Sequence, residues 1–237
     1  MPISPPPVPT TSIYTSCWCE ENIYLLTEAF TGTPEVVEQW EVCAVFISNP
    51  NKTVALWEQK LARDHLYPVV WDYHVIMILR PRKRSLSADG DTVLRVKDEQ
   101  DDDTRAISWV YDFDTHLPLP CPFAKYMTQT FRKVDAQYKS MFRVVPAKVL
   151  LDNFACDRSH MLVKRDSGED QQGDQQYHSI PPAYPPIVGA KAKELGVSNN
   201  LMASFVSMVL TGDGGGFGEI MELDAMLIWD EAVVSDE

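Results

Sequence analysis

No apolar run in the 237-residue sequence reaches the ~20 residues that a membrane-spanning helix requires. The richest run, Val69–Leu79, is interrupted by Asp72 and His74. Basic residues are also scarce. Lys and Arg total 21 against 34 Asp and Glu, a net charge of −13, which argues against binding a phosphate backbone. An acidic surface keeps a protein soluble and suits substrates that carry a positive charge, such as a free α-amino group. The five cysteines (Cys17, Cys19, Cys43, Cys121 and Cys156) are odd in number and scattered. They make a poor disulfide framework and no second pair at zinc-ligand spacing, so neither bridges nor a metal are expected. The glycines at 214–216 do not follow a strand at phosphate-binding spacing, and no other cofactor motif is present. Met1–Thr10 has neither a basic start nor an apolar stretch, so it does not read as a secretory leader. The Asn51-Lys52-Thr53 sequon therefore reads as accidental. Reduced thiols point to the cytoplasm, with the nucleus as a second compartment.

What remains is a chain with 45% hydrophobic residues, enough for one ordinary core. Residues 1–11 are proline-rich and read as a disordered tail. A helix is predicted from Cys19 to Phe30, with Ile23, Leu26 and Phe30 on one stripe and Thr15 or Ser16 as N-cap. Gly32 and Pro34 end it. Val42–Ser48 and Thr53–Trp57 read as a hairpin about Asn49–Lys52. Val69–Leu79 reads as one long buried strand, and Ala106–Asp114 as another. Met141–Val145 reads as a strand, Ala147–Phe154 as a short helix, and Leu201–Val209 and Ile220–Trp229 as further helices. Residues 81–105 and 163–180 read as mobile insertions, Pro181–Pro186 as part of the second surface excursion, and 231–237 as an acidic tail. The fold class is α+β, with a mainly antiparallel sheet flanked by helices in one domain over residues 12–230. No association stripe stands out, and a monomer is expected.

Three residues could carry chemistry. Cys19 lies in the first turn of the predicted helix, where the dipole favours a thiolate, although a single buried cysteine is more often inert. His74 sits on a strong strand, which would hold an imidazole rigidly for general-base work, although such a histidine is more often a satisfied core residue. Asp112 shares a strand face with Val110 and Asp114. If that strand lies beside the His74 strand, Asp112 can fix the imidazole tautomer. Asp114 reads better as a turn cap. His160 reads as structural, Asp157 and Arg158 as a local ion pair, and His65, His116 and His178 as exposed loop residues.

Eight ordered blocks carry a resemblance. They begin with Cys17-Trp-Cys19-Glu-Glu-Asn22, Val70-Trp-Asp-Tyr-His-Val75 and Val110-Tyr-Asp-Phe-Asp-Thr-His-Leu-Pro118. Phe142-Arg-Val144, Asn153-Phe-Ala-Cys-Asp-Arg-Ser-His-Met161, Pro181-Pro-Ala-Tyr-Pro185, Asn200–Met208 and Gly216–Ile220 follow. Together they resemble the protein N-terminal glutamine amidohydrolase family over about Tyr14–Met226. The resemblance implies Cys19 as nucleophile, His74 as base and Asp112 as orienter, on a core like those of transglutaminases and papain. It implies conversion of N-terminal Gln to Glu in proteins or peptides, without a cofactor, metal or nucleic acid, feeding an N-degron degradation pathway. Glu21, Asp72 and Asp114 are candidates for holding the substrate's α-ammonium. The sequence departs from the family pattern in two enlarged connections, 81–105 and 163–179. The same triad would also serve a cysteine peptidase or a transglutaminase-like acyl transferase, and a module that binds N-terminal Gln without turnover is a rival of another class.

Overall fold

Cys19–Thr31 forms α1, and its stripe of Ile23, Leu26 and Phe30 is buried. The computed structural model describes residues 4–82, 107–163, 176–209 and 216–229. The N-cap of α1 is Trp18, with no side-chain cap, so neither Thr15 nor Ser16 plays that part. Instead the Asn22 amide closes back on the backbone of Thr15, accepting its N–H at 2.9 Å and donating to its carbonyl at 2.8 Å. Pro34 then opens a short α2 (Pro34–Gln39), at a position where its missing N–H costs nothing.

Trp40–Ser48 forms β1, and every residue except Glu41 is buried. The predicted hairpin does not form. The turn at Asn49 exists, but β2 (Val54–Leu56) pairs with β3 (Val69–Trp71) in a separate two-stranded sheet. β1 has no free edge to offer, because β4 (His74–Pro81) and β7 (Met141–Pro146) occupy both. The single long strand over Val69–Leu79 is likewise corrected: β3 and β4 belong to different sheets and are separated at Asp72–Tyr73. There the Asp72 side chain takes the Tyr73 N–H at 2.9 Å, and Ser48 Oγ donates to the Asp72 carbonyl at 2.6 Å. β5 (Trp109–Tyr111), β6 (Cys121–Pro122) and β8 (Glu219–Glu222) complete a six-stranded sheet in the order β6-β5-β4-β1-β7-β8, antiparallel throughout. β8 and α6 (Leu223–Trp229) divide the stretch that reads as one helix.

Both faces of the sheet are covered. α1, α4 (Ala147–Asn153) and a π-helical turn at Leu201–Val206 bury one face, meeting Ala44, Phe46, Val75 and Met77. α3 (Phe123–Thr130) and α6 bury the other, meeting Val45, Ile47, Ile76 and Ile78. Alternate residues of β1 and β4 thus enter different cores, which is why these strands read as unbroken apolar runs. α5 (Ala190–Glu194) packs on α4. This is an α+β arrangement with a mostly antiparallel sheet and flanking helices.

Two segments expected to be loose are held by contacts. Residue 4 onward lies along the domain, with the Tyr111 hydroxyl donating to the Pro6 carbonyl at 2.5 Å and Val8 packed on the core. A proline-rich stretch has no internal hydrogen bonds, so its carbonyls are free for such contacts. The 181–186 segment is gripped by Arg158, which donates to the carbonyls of Pro182 and Tyr184 at 3.1 and 2.9 Å. The same guanidinium makes a two-pronged ion pair with Glu21, 2.8 Å on each arm, both side chains buried. The expected local pair of Asp157 with Arg158 is therefore absent; Asp157 takes the Ser159 N–H and the Asn199 amide. Residues 83–105, most of 163–180 and the 231–237 tail lie outside the described residues.

Arg158→Ala would strand the buried Glu21 charge. It should cost about 3–5 kcal/mol in urea unfolding. Adding Glu21→Gln in the same chain should recover most of that loss, and Arg158→Lys should recover little, because Lys lacks the guanidinium fork.

Candidate active site

The start of α1 places Cys19 against the start of β4. The residue is 8% exposed, and the nearby backbone of Val75 favours its thiolate. The first helical turn leaves backbone N–H groups without intrahelical partners, so donors converge at this point. His74, one residue before Val75, is the first residue of β4 rather than the middle of a strand. Its ring is fully buried and stacked on Trp71, with centroids 5.3 Å apart and planes 22° apart.

His74 Nε2 lies 2.9 Å from Asp112 Oδ1. With a carboxylate as acceptor, the proton belongs on Nε2 and Nδ1 carries the lone pair. Nδ1 is buried and has no hydrogen-bond partner among the described residues. Asp112 lies one residue beyond β5, which pairs with β4 as the sequence reading required. Besides His74 it accepts the Asp114 N–H at 2.8 Å, the Tyr126 hydroxyl at 2.8 Å and the Gln59 amide at 3.2 Å. Burial works to raise its pKa, but His74 and these donors outweigh it and hold the carboxyl below its ordinary value. For His74, burial opposes protonation, and Asp112 first, then Asp114 and Glu20, more than offset it, so its pKa is raised.

The structure therefore joins His74 to Asp112 and packs the start of α1, with Cys19, against β4, but the thiol's own hydrogen bond runs elsewhere. Sγ donates to Glu20 Oε2 at 3.7 Å. Burial, then Glu20, Asp114 and Asp72, push the thiol's pKa well up, against the one lowering contribution of the Val75 backbone. Behind Glu20 stands His160, with Nε2 at 3.4 Å from Glu20 Oε1 and 3.0 Å from the Tyr73 hydroxyl, and Nδ1 at 3.8 Å from Cys156 Sγ.

A cavity of about 180 Å³ opens over Cys19, lined by Trp71, Asp72, Tyr73, Asp114 and Met161, with Cys17 at its edge. Asp72 is exposed. Asp114 is buried, takes the Tyr14 hydroxyl at 2.5 Å, and has its pKa raised chiefly by burial. Two of the three α-ammonium candidates thus face the cavity. Glu21 does not: it is turned inward and neutralised by Arg158. A larger groove of about 580 Å³ near Asn49, Phe131, Lys139 and Asp224 contains none of these groups.

Among the described residues, donor atoms gather within 4.8 Å in two groups, His74-Asp112-Asp114 and Glu20-Cys156-His160. In each, the histidine is already engaged by its neighbours, and we assign neither to a metal. Sequence reasoning passed over Glu20, Tyr73, Gln59 and Tyr126. Glu20's position beside Cys19 could have signalled it. Gln59 and Tyr126 reach Asp112 across 53 and 14 residues of chain, and nothing local marks them.

Comparison with known proteins identifies the family. A family profile described as N-terminal glutamine amidase matches residues 14–228. The protein N-terminal glutamine amidohydrolase of Bos taurus is 36% identical over 210 residues, 87% of this chain and 82% of the relative. Its namesake in Homo sapiens is 35% identical over 210 residues, with the same coverage. That of Drosophila melanogaster is 34% identical over 215 residues, 89% of this chain and 84% of the relative. A match that runs unbroken from the segment before the thiol, past the imidazole and both carboxylates, to the last helix means that this chain belongs to the N-terminal glutamine amidase family.

Proposed function

We propose that the protein hydrolyses the side-chain amide of an N-terminal glutamine to glutamate, releasing ammonia, with Cys19 as nucleophile, His74 as base and Asp112 as orienter. The observation that carries this reading is the buried His74–Asp112 pair. Among the described residues it leaves one imidazole nitrogen without a partner, at the start of the strand on which the thiol-bearing helix packs, in a chain of this family. The Cys19 thiolate attacks the glutamine side-chain carbonyl. His74 delivers a proton to the departing ammonia, which leaves a thioester. His74 then takes a proton from water, and hydrolysis gives the acid. Unpartnered N–H groups of the first turn of α1, that of Cys19 among them, suit the oxyanion.

Asp72 and Asp114 line the cavity over Cys19, which supports them as the groups that receive the α-ammonium and would restrict turnover to free N-termini. A helix-borne thiol packed on an antiparallel sheet that supplies the imidazole supports a core of the transglutaminase and papain type. Residues 12–230 would then form one catalytic domain. Among the described residues no helix is long and apolar enough to cross a membrane. A monomer in the cytoplasm or nucleus suits the odd set of unpaired cysteines and the lack of an association stripe. The glutamate product would be a substrate for arginylation and so for an N-degron pathway. A peptidase or acyl transferase would use the same groups and differ in the bond broken or the acceptor.

Peptides beginning with Gln, Asn or acetyl-Gln, and peptides with internal Gln, separate these readings. Ammonia and a mass gain of about one dalton are expected only from free N-terminal Gln. Backbone cleavage, or no turnover of any peptide, would refute the proposal. Cys19→Ala should abolish turnover while Cys17→Ala retains part of it.

The pH profile offers a second check. His74 works with Nδ1 unprotonated, and its raised pKa places the acid limb of kcat above the ~6.5 of a free imidazole. Asp112→Asn removes the charge that holds that pKa up. The acid limb should move to lower pH, and kcat should fall by about 10²–10⁴-fold.

A further inference from the structure

The cavity contains an electrostatic conflict. Around Cys19 stand Glu20 from α1, Asp72 and Tyr73 from the link between β3 and β4, and Asp114 from beyond β5, with His74 at the start of β4, one residue before Val75, whose backbone acts on the thiol. Three of the five are carboxylates, and each disfavours a second negative charge on the sulfur. Outside this set, His160 is held by Glu20 and Tyr73, and the Lys60 ammonium, which acts on Asp114, donates to the Phe113 carbonyl at 2.7 Å. The thiol proton is directed at Glu20, while the nitrogen suited to receive it, His74 Nδ1, has no partner among the described residues. Burial adds to the penalty on the thiolate. As it stands, the site describes a thiol at rest.

We propose that the free enzyme holds Cys19 as a neutral thiol donating to Glu20, and that the α-ammonium of a bound N-terminal residue, seated between Asp72 and Asp114, releases that proton to His74. The inference rests on the function proposed above and deepens it. In this step the S–H bond breaks and an N–H bond forms at Nδ1. The result is a thiolate and an imidazolium, with no change in total charge. The arriving cation offsets two of the three carboxylates that opposed the thiolate, and the imidazolium stands beside the third. The imidazolium is also the acid that the leaving ammonia requires. Selection for a free N-terminus then acts on the chemical step as well as on binding, because an acetylated peptide brings no cation and leaves the nucleophile protonated. The resting thiol would also be slow to react with oxidants and alkylating agents, which attack the thiolate.

Thiolate absorbance near 240 nm, taken as the difference between the full-length protein and its Cys19→Ser variant, tests this. The titration is run on the free protein and with saturating Met-Gly-amide, which has a free N-terminus and no side-chain amide to hydrolyse, or acetyl-Met-Gly-amide. The free protein should show little thiolate at pH 7.5. Met-Gly-amide should lower the midpoint by about one pH unit or more, equivalent to a tenfold or greater gain in thiolate. The acetylated peptide should leave it unchanged. Asp114→Asn should lower the midpoint with no peptide present. Cys19 fully ionised at neutral pH in the free protein, or a midpoint unmoved by Asp114→Asn, would overturn the proposal. Ammonia release from a Gln-initiated peptide on the same preparation keeps the two readings apart: ammonia with a preformed thiolate refutes the inference alone, and no ammonia refutes the function beneath it.

Discussion

A carboxylate without water must be matched by donors, and Asp112 is the point from which the rest of the site is set. Four groups donate to it, from β4, from the turn after β5, from α3 and from the loop after β2. Each is useful because the others are present. With its remaining lone pairs satisfied, the carboxylate stays ionised in a dry place, and an ionised carboxylate fixes the imidazole with one nitrogen turned outward. The sheet, the helix behind it and the loop that brings Gln59 are all needed to build one acceptor.

The sequence announced elements better than it announced their partners. α1, β1, β7 and α4 were legible because their burial patterns are local: an i, i+3, i+7 stripe, or a run of β-branched residues. Errors came where pairing decided. Val42–Ser48 followed by a turn and Thr53–Trp57 looks like a hairpin, and nothing local reveals that two distant strands occupy both edges of β1. Val69–Leu79 looks continuous because both of its parts are apolar. Its division depends on Ser48 taking the Asp72 carbonyl from 24 residues away.

The same holds for the site. Cys19, His74 and Asp112 could be singled out by residue type and position, and the block order indicated which histidine and which aspartate to prefer. Their joint geometry depends on β4 lying beside β5 and on α1 crossing the start of β4, neither of which is written in any local segment. Glu21 shows the limit in the other direction. A carboxylate two residues from the proposed nucleophile looks like a substrate contact, but a helix turns by about 100° per residue, and this one points into the protein, at an arginine 137 residues on.

The crossing from β3 to β4 assigns three consecutive side chains to three tasks. Trp71 supports the His74 ring, Asp72 stands at the cavity mouth, and Tyr73 reaches inward to His160. A strand returns each side chain to the same face every second residue. Losing one residue at this crossing would preserve the cysteine, the histidine and the aspartate, yet would turn the imidazole away from its carboxylate. The distance along the chain between the exit from one sheet and the entry to the next is therefore a functional quantity in its own right, so the proposed catalytic arrangement depends on the spacing of residues here as well as on their identities.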